Sequence, residues 1–551
     1  MDREAGYDTI IVGAGSAGCV LAYRLSADPA HRVLLLEAGG EDDSPWIHMP
    51  MGLGKTLMDP AVCWHFMTEP DPGNAGQPRA FMRGKVLGGS SSVNGMVYCR
   101  GQPEDYEGWA AAGCTDFGWP EMRRAFRQIE NHALGDDGER GVGGPLHVGV
   151  RSGDTALDKA VLSAVAAQGV PIRDDINRPD QEGIGPTPVT LRAGRRVSAA
   201  DAFLHPVRNR PNLAVVTGAL VHRVLFDGQQ AIGVEGLFDG VRTQWLTAGE
   251  VILSAGTLQS PKLLMHSGIG PAEALKAHGI DVRVDSPEVG RNLREHKTVS
   301  LQLRLQPGHG INEQLHGWRM GRSALQYLLA RKGALASTYD LNAFIRTQDT
   351  LQQPDAQVLF WGLTLDRSAP GIVVEREAGL LMMGYPLRTD SQGALQLVSA
   401  DPAVPLRVQT NFLSEPHDRQ VTLALLRWMR RVARHPALAP LVVGETHPGE
   451  TLVDDEAILD AARRDETCQH AVGTCRMGSD AAAVLDSRLR VRGVDGLRVV
   501  DLSAMPTQVS GNTNGPVMAL AWRAADLIEQ DRRDAAVHDI SLVSLTHGEP
   551  A

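Results

Sequence analysis

Apolar positions along the chain keep two rhythms. Short unbroken runs, many of branched residues, occur at Ile10–Val12, Val33–Leu36, Leu213–Val216, Val221–Phe226, Gly233–Phe238 and Val251–Ser254. Each has the length and the flanking residues of a strand, and the earliest suit a sheet buried on both faces. Between the first two, residues 16–26 carry helical spacing. A strand–helix–strand opening, joined later by a β-meander, predicts an α/β fold with a parallel sheet. Further helices are expected over 109–131, with Met122, Phe126 and Ile129 on one face, over 156–168, and from Ser198 to Leu204. Another begins near Ser260-Pro261, a cap followed by Pro at its first turn, and stops at Ser267-Gly268. Residues 300–455 alternate short strands (Leu301–Leu305, Gln357–Leu363, Ala394–Val398) with helices (Met320–Leu329, Arg419–Val432), so a second, mostly antiparallel domain is expected there. Residues 133–144 and 171–197 read as loop. Periodicity fades after Arg533, which predicts a mobile tail.

The first strand ends in a glycine turn. Gly13, Gly15 and Gly18 give G-x-G-x-x-G, with Ser16 and Ala17 opening the helix beyond it. Such a helix start offers free N–H groups and a positive dipole end to phosphates. Glu37 closes the second strand nineteen residues after Gly18, before Ala38. That is the offset of the acid that bonds an adenosine ribose, so the opening unit reads as a dinucleotide site. Seven of the fourteen residues from Arg83 to Met96 are Gly or Ser, which suggests a backbone passing something flat or charged. Trp64 and Phe66 read either as cofactor-edge packing or as core. The joint at Ala255-Gly256 either lines a cofactor or simply connects strand to helix. A strand from Leu497 brings Asp501 toward the cofactor's ribityl or pyrophosphate region. Pro516 reads as the first residue of a helix over Val517–Glu529, with Gly511–Gly515 as the loop at its positive end. His470 sits in a Gly/Thr/Met turn, and from the residues alone it reads equally as structural or as an acid/base.

Bulk numbers narrow the classes. With 551 residues, 43% hydrophobic and 22% charged, the chain suits two packed domains of a globular protein. The net charge of −11 and the lack of a basic tract argue against nucleic acid as a partner. Six scattered cysteines without a C-x-x-C pair argue against a disulfide framework or a structural metal, and favour a reducing, cytoplasmic compartment. A strand starting by Tyr7 leaves no room for a signal peptide. No apolar run is long enough to span a bilayer, while peripheral association, at an inner membrane for instance, stays compatible.

Taken together, these motifs resemble the glucose–methanol–choline (GMC) oxidoreductases, FAD-dependent alcohol-oxidising flavoproteins, in their choline- and alcohol-dehydrogenase-like branch. The resemblance runs from Tyr7 to about Gln530. Gly84–Gly101 matches the first family signature and Gly256–Gly270 the second; His470 and Ser510–Pro516 match the catalytic region. It implies a Rossmann-like FAD-binding domain in three parts (1–155, 198–299 and 456–535), a connecting segment at 156–197, a substrate domain at 300–455 and a flexible tail at 536–551. It further implies oxidation of an alcohol, primary by expectation, to the aldehyde. His470 would take the hydroxyl proton and Asn512 would bond the same oxygen while a hydride moves to flavin N5. Ser91, Asn94, Gly95 and Val97 match flavin-contacting positions, and Val221 matches the adenine site. Trp64, Gly84, Gly88, Gly89, Met96, Ala255, Gly256, Asp501, Asn512, Asn514 and Pro516 complete the expected cofactor set. No metal is implied. Two departures stand out. Gln469 and Ala471 flank the histidine where many relatives have an aromatic residue and a proline. Val93 stands where some members carry a histidine bonded to FAD, so a non-covalent FAD is expected. The electron acceptor, whether oxygen, a quinone or another compound, is left open, as is the oligomeric state. Choline is poorly supported, since no aromatic cage with an acid is evident. A family lyase of the hydroxynitrile type is the alternative, as is an oxygen-using oxidase. An NAD-linked dehydrogenase fits the opening motif but not the later loops.

Overall fold

The computed structural model describes residues 6–369 and 371–546, with side chains described to residue 535. Its first sheet is organised around Tyr7–Val12, which lies between Val33–Leu36 and the end of Val241–Leu253, parallel to both. Ile10 faces Leu34 on one side and Val251 on the other. Leu213–Val216 extends the sheet beyond Val33–Leu36, and Leu497–Val499 pairs in parallel with Val251–Leu253. Ile10, Ile11, Leu35 and Ile252 are wholly buried, the environment their unbroken apolar runs predict. The long strand then serves two ends. Its first half, Val241–Leu246, pairs antiparallel with Gln230–Phe238, which pairs in turn with Ala219–Asp227. That half alternates with exposed polar residues, so its strand signal is missing from the apolar pattern.

A second, six-stranded sheet is antiparallel throughout. Its order is Val442–His447, Val299–Leu305, Gly379–Pro386, Ala356–Trp361, Leu341–Ile345 and Gly183–Pro186. Helix Pro416–Ala433 packs across it through Leu425 and Leu426, both wholly buried. The edge strand comes from a segment expected to be irregular. Gly183-Ile-Gly-Pro186 lacks any strand signature, and Pro186 is tolerated because it sits at the edge. Ala394–Gln396 does form a strand, but in a separate hairpin with Arg407–Gln409.

Three expected helices are reshaped. Residues 109–131 divide into Pro103–Ala111 and Trp119–Ile129, broken at Gly113 and Gly118. Ser198–Leu204 becomes one wide turn over Ala200–Leu204, followed by a tight turn containing Pro206. The third helix starts at Gly256 rather than near Ser260, with Pro261 inside it. Pro261 has no N–H for the carbonyl of Thr257. The Thr474 hydroxyl donates to that carbonyl instead, at 2.6 Å, and the Thr257 hydroxyl donates to the Ala471 carbonyl at 2.6 Å. A helix defect thus becomes an anchor for the segment carrying His470. The last helix runs Asn514–Thr546, past its expected end near Glu529. Residues 530–546 contain neither Gly nor Pro, so nothing stops it. Of the tail expected at 536–551, the backbone to Thr546 is therefore helical, and 547–551 lie outside the described residues.

Candidate active site

A cavity of about 380 Å³ opens beyond the C-terminal end of the first parallel strands, and residues from every motif named above line it. At the glycine turn, a Cβ added to Gly89 would lie 2.6 Å from the Cα of Gly15. The two glycine-rich segments therefore touch backbone to backbone, a contact only glycine allows. Behind them, a Cβ on Gly18 would strike the Gly13 carbonyl oxygen at 1.9 Å, so Gly18 serves helix–strand packing and does not line the cavity. The Ser16 hydroxyl donates to Asn514 Oδ1 at 2.8 Å and brings the starts of helices Ser16–Leu25 and Asn514–Thr546 together at the wall. Neither helix has an acidic residue in its first turn, so both positive ends stay uncompensated. Glu37 completes this part of the wall. Its carboxylate accepts from the N–H groups of Ala14 (2.9 Å) and Gly39 (2.8 Å), and burial pushes its pKa up to about 7. A glycine cradle, two bare helix starts and a buried acid are what a dinucleotide diphosphate and its ribose require, so these residues fit FAD.

The reacting groups form one ordered chain of hydrogen bonds. His296 Nε2 lies 2.9 Å from the Leu387 carbonyl, which can only accept, so that nitrogen carries the proton. His296 Nδ1 is then bare, and His470 Nδ1–H donates to it at 3.0 Å. The lone pair of His470 is left on Nε2, facing Asn512 Nδ2 at 3.2 Å. The Asn512 amide is oriented in turn, because its Oδ1 accepts from Gln357 Nε2 at 3.2 Å, and Gln357 Oε1 is itself held by the Tyr385 hydroxyl at 2.5 Å. Tyr385 stacks on His296 with ring centres 4.6 Å apart. Glu295 Oε1 accepts from the His470 backbone N–H at 2.7 Å. Burial, then His296 and Arg83, hold the His470 pKa well below the usual 6.5, so the imidazole is neutral. Burial lowers His296 to about 4. Around this pair the lining is mostly apolar or uncharged, with Val97, Tyr339, Leu359, Met383 and Cys468, and the charge nearby is Arg83, bonded to Gln469.

Two loops hold the pair in place. Gln469, with φ of 63°, accepts through Oε1 from the Met82 N–H (3.0 Å) and Arg83 Nη1 (2.8 Å), tying the His470 segment to the hairpin Cys63–Met67/Ala80–Gly84. The polar Gln469 thus has a definite structural task. The hydroxyl and N–H of Ser510 donate to Asp105, which is also the N-terminal capping acid of helix Pro103–Ala111.

Of the residues expected from sequence, Gly13, Gly15, Ser16, Ala17, Glu37, Ala38, Trp64, Gly84, Gly89, Asn94, Gly95, Met96, Val97, Val221, Ala255, Gly256, His470, Asp501, Asn512 and Asn514 line the one cavity. Gly88, Ser91 and Pro516 stand behind it with Gly18. Ser91 donates to the Gly88 carbonyl at 2.6 Å and accepts from the Ala199 N–H, which braces the turn from outside. Pro516 lies in the first turn of the last helix, where its missing N–H costs nothing. Asp501 lines the wall, yet both its oxygens are taken by Gly256, Ser260 and Ser503. Trp64 and Phe66 both reach the cavity. Sequence reasoning missed Glu295, His296, Gln357 and Tyr385. These residues lie in stretches without a motif: the second sheet's register brings Gln357 and Tyr385 to the site, and the bridges Arg294–Val472 and Lys297–Thr467 lay Glu295 and His296 against His470.

Comparison with known proteins agrees with this arrangement. The two GMC oxidoreductase profiles match residues 7–298 and 389–521. The alcohol dehydrogenase [acceptor] of Pseudomonas putida is 39% identical over 542 residues, spanning 97% of this chain and 98% of that one. Mitochondrial choline dehydrogenase of Mus musculus is 39% identical over 535 residues, spanning 95% and 89%. Among solved structures, pyridoxine 4-oxidase from Mesorbium loti superposes with a TM-score of 0.86 at 32% identity, covering 95% of this chain and 99% of that one. Formate oxidase of Aspergillus oryzae RIB40, whose structure was determined to study modification of its FAD, gives 0.90 at 26% identity, covering 96% and 99%. The chain belongs to the GMC oxidoreductase family, and it is an FAD-dependent enzyme acting on CH–OH donors.

Proposed function

We propose that the enzyme oxidises an uncharged primary alcohol to its aldehyde, with His470 as proton acceptor and Asn512 as the second ligand of the hydroxyl. The observation that carries this reading is the bare Nε2 of His470 beside Asn512 on an apolar part of the cavity wall. FAD, when bound, supplies the two-electron acceptor that takes the carbinol hydride. The chain's own groups do the rest. Asn512, held by Gln357, which Tyr385 holds in turn, donates to the alcohol oxygen and stabilises it as the O–H proton leaves for His470 Nε2. His296 receives the Nδ1–H of the resulting imidazolium and holds the ring in one orientation. Bulky Tyr339, Leu359 and Met383 favour a carbinol carbon with a single substituent. We further propose that the parallel-sheet domain holds FAD and the antiparallel sheet closes over the substrate, since Gln357, Leu359, Met383 and Tyr385 all come from the latter.

A quaternary ammonium fits poorly. Of the carboxylates lining this cavity, Glu37 belongs to the glycine-turn wall and Asp501 is fully bonded, while Glu295 lies behind it, buried near Arg83. An alcohol panel followed by anaerobic flavin bleaching tests the reading, repeated with air and with a dye as acceptor. Uncharged primary alcohols should bleach the flavin fastest and choline slowly. Choline as the fastest substrate, or product formation with the flavin oxidised throughout, would contradict the proposal.

A further inference from the structure

Helix Gly317–Ala330 presents its apolar side to water. Of its fourteen residues only Ser323 is buried. Trp318, Leu325 and Leu329, at i, i+7 and i+11, share one side with Leu328 beside them, and they are 74%, 57%, 79% and 78% exposed. A helix on a globular protein ordinarily turns such a stripe inward. Here its inner side is held instead by polar contacts, the Ser323 hydroxyl donating to the Gln314 carbonyl and the Tyr327 hydroxyl to the Gly194 carbonyl. The charges beside the stripe are mostly of one sign, with Glu313 pairing Arg319 at 3.4 Å. Arg319, Arg322, Arg331 and Lys332 lie on or next to the helix, and residues 317–332 contain no acid, although the chain as a whole is at −11.

Apolar packing continues beneath the surface beyond the helix. The turn Ala334–Ala336 that follows packs against Pro50–Gly52. The short helix Leu53–Met58 comes next, with Met58 exposed beside Ile372 and Val373, and Lys55 over the ring of half-exposed Trp46. Leu53 and Leu57 of that same short helix line the catalytic cavity. Buried packing therefore connects the exposed helix to the cavity wall.

We propose that this face docks the enzyme on an anionic phospholipid surface, with Trp318, Leu325, Leu328 and Leu329 entering the interfacial layer and the flanking cations meeting phosphate headgroups. Basic residues beside a solvent-facing apolar stripe are the pattern of helices that lie in the membrane plane. A second copy of the chain is the poorer occupant. An isologous contact repeats the same patch on both partners, so Arg322, Arg331 and Lys332 would face a like-charged patch. No helix among the described residues is long and apolar enough to cross a membrane, so the contact is peripheral.

The test uses full-length holoenzyme pelleted with vesicles of phosphatidylcholine alone or mixed with phosphatidylglycerol. At low salt the mixed vesicles should retain at least about tenfold more protein, and added salt should release it. Combined Leu325→Ser, Leu328→Ser and Leu329→Ser should abolish retention. Combined Arg322→Glu and Lys332→Glu should remove the preference for the anionic lipid. Both variants should keep wild-type activity with a soluble dye acceptor, which shows that they are folded and leaves the proposed chemistry to its own test. The docking proposal is overturned if wild type ignores both vesicles, or if the triple serine variant binds as wild type does. It is equally overturned if the apolar face proves to close a dimer that the triple variant dissociates.

Discussion

His470 acts as a base because of where its proton is not. The Leu387 carbonyl fixes the tautomer of His296, and His296 fixes that of His470, leaving the lone pair on Nε2. A neutral imidazole accepts a proton, and protonation at low pH removes that capacity. With its pKa held well below 6.5, kcat/KM should stay flat down through pH 6.5 and fall only at more acid pH. A pH profile taken with the alcohol that bleaches flavin fastest checks this, and an acid limb at or above pH 6.5 would count against His470 as the base. His296 is a positioning residue. A leucine there leaves Nδ1–H of His470 without its acceptor, a loss of about 1.4 kcal/mol or tenfold in the rate of flavin reduction. Glutamine offers one acceptor and one donor, so His296→Gln should lose distinctly less than His296→Leu at equal FAD content. Equal losses would mean that His296 merely fills space. At Val93 the prediction concerns covalency. Acid precipitation should leave the yellow flavin in the supernatant, and a pellet that stays yellow would point to attachment elsewhere.

At the scale of elements, a buried ion pair braces the chain at the end of the first signature segment. Arg100, just beyond the Gly-rich segment, pairs with Glu130 at the end of helix Trp119–Ile129, and both are almost wholly buried. Glu130 also accepts from the Tyr98 hydroxyl at 2.6 Å and the Gly141 N–H at 2.9 Å. Glu130→Ala leaves the guanidinium buried without its partner and should destabilise the protein by about 3–5 kcal/mol. Denaturant unfolding of the variant checks this; a loss under about 1 kcal/mol would show that water reaches the pair. The same scale explains what the sequence discloses. Val12-Gly13, Leu36-Glu37 and Ala255-Gly256 were legible because a parallel strand is apolar along its whole length and stops where chemistry begins. Helix Gly256–His266 was misplaced by four residues because Pro261 normally marks a first turn, and the rescue of the Thr257 carbonyl by Thr474 comes from 217 positions away. Gly183–Pro186 was illegible because an edge strand needs little intrinsic propensity once a neighbour offers its hydrogen bonds.

Across the whole molecule, the two sheets divide the site unequally. Most of the expected cofactor wall comes from the glycine turn, the Gly-rich segment and the last helix, where backbone geometry demands particular residues and so leaves a readable trace. The partners that orient His470 and Asn512 come largely from the second sheet, whose Gln357 and Tyr385 look like ordinary strand residues until their register places them face to face. The central claim, that His470 and Asn512 act as one unit on the alcohol oxygen, is tested most directly by a double-mutant cycle. Flavin bleaching would be followed by anaerobic rapid mixing and normalised to bound FAD. His470→Ala should slow bleaching about 10²–10⁴-fold with FAD retained, Asn512→Ala should cost less, and the double variant should lose less than the product of the two. Retention of near wild-type bleaching by His470→Ala molecules that still hold FAD would contradict the account.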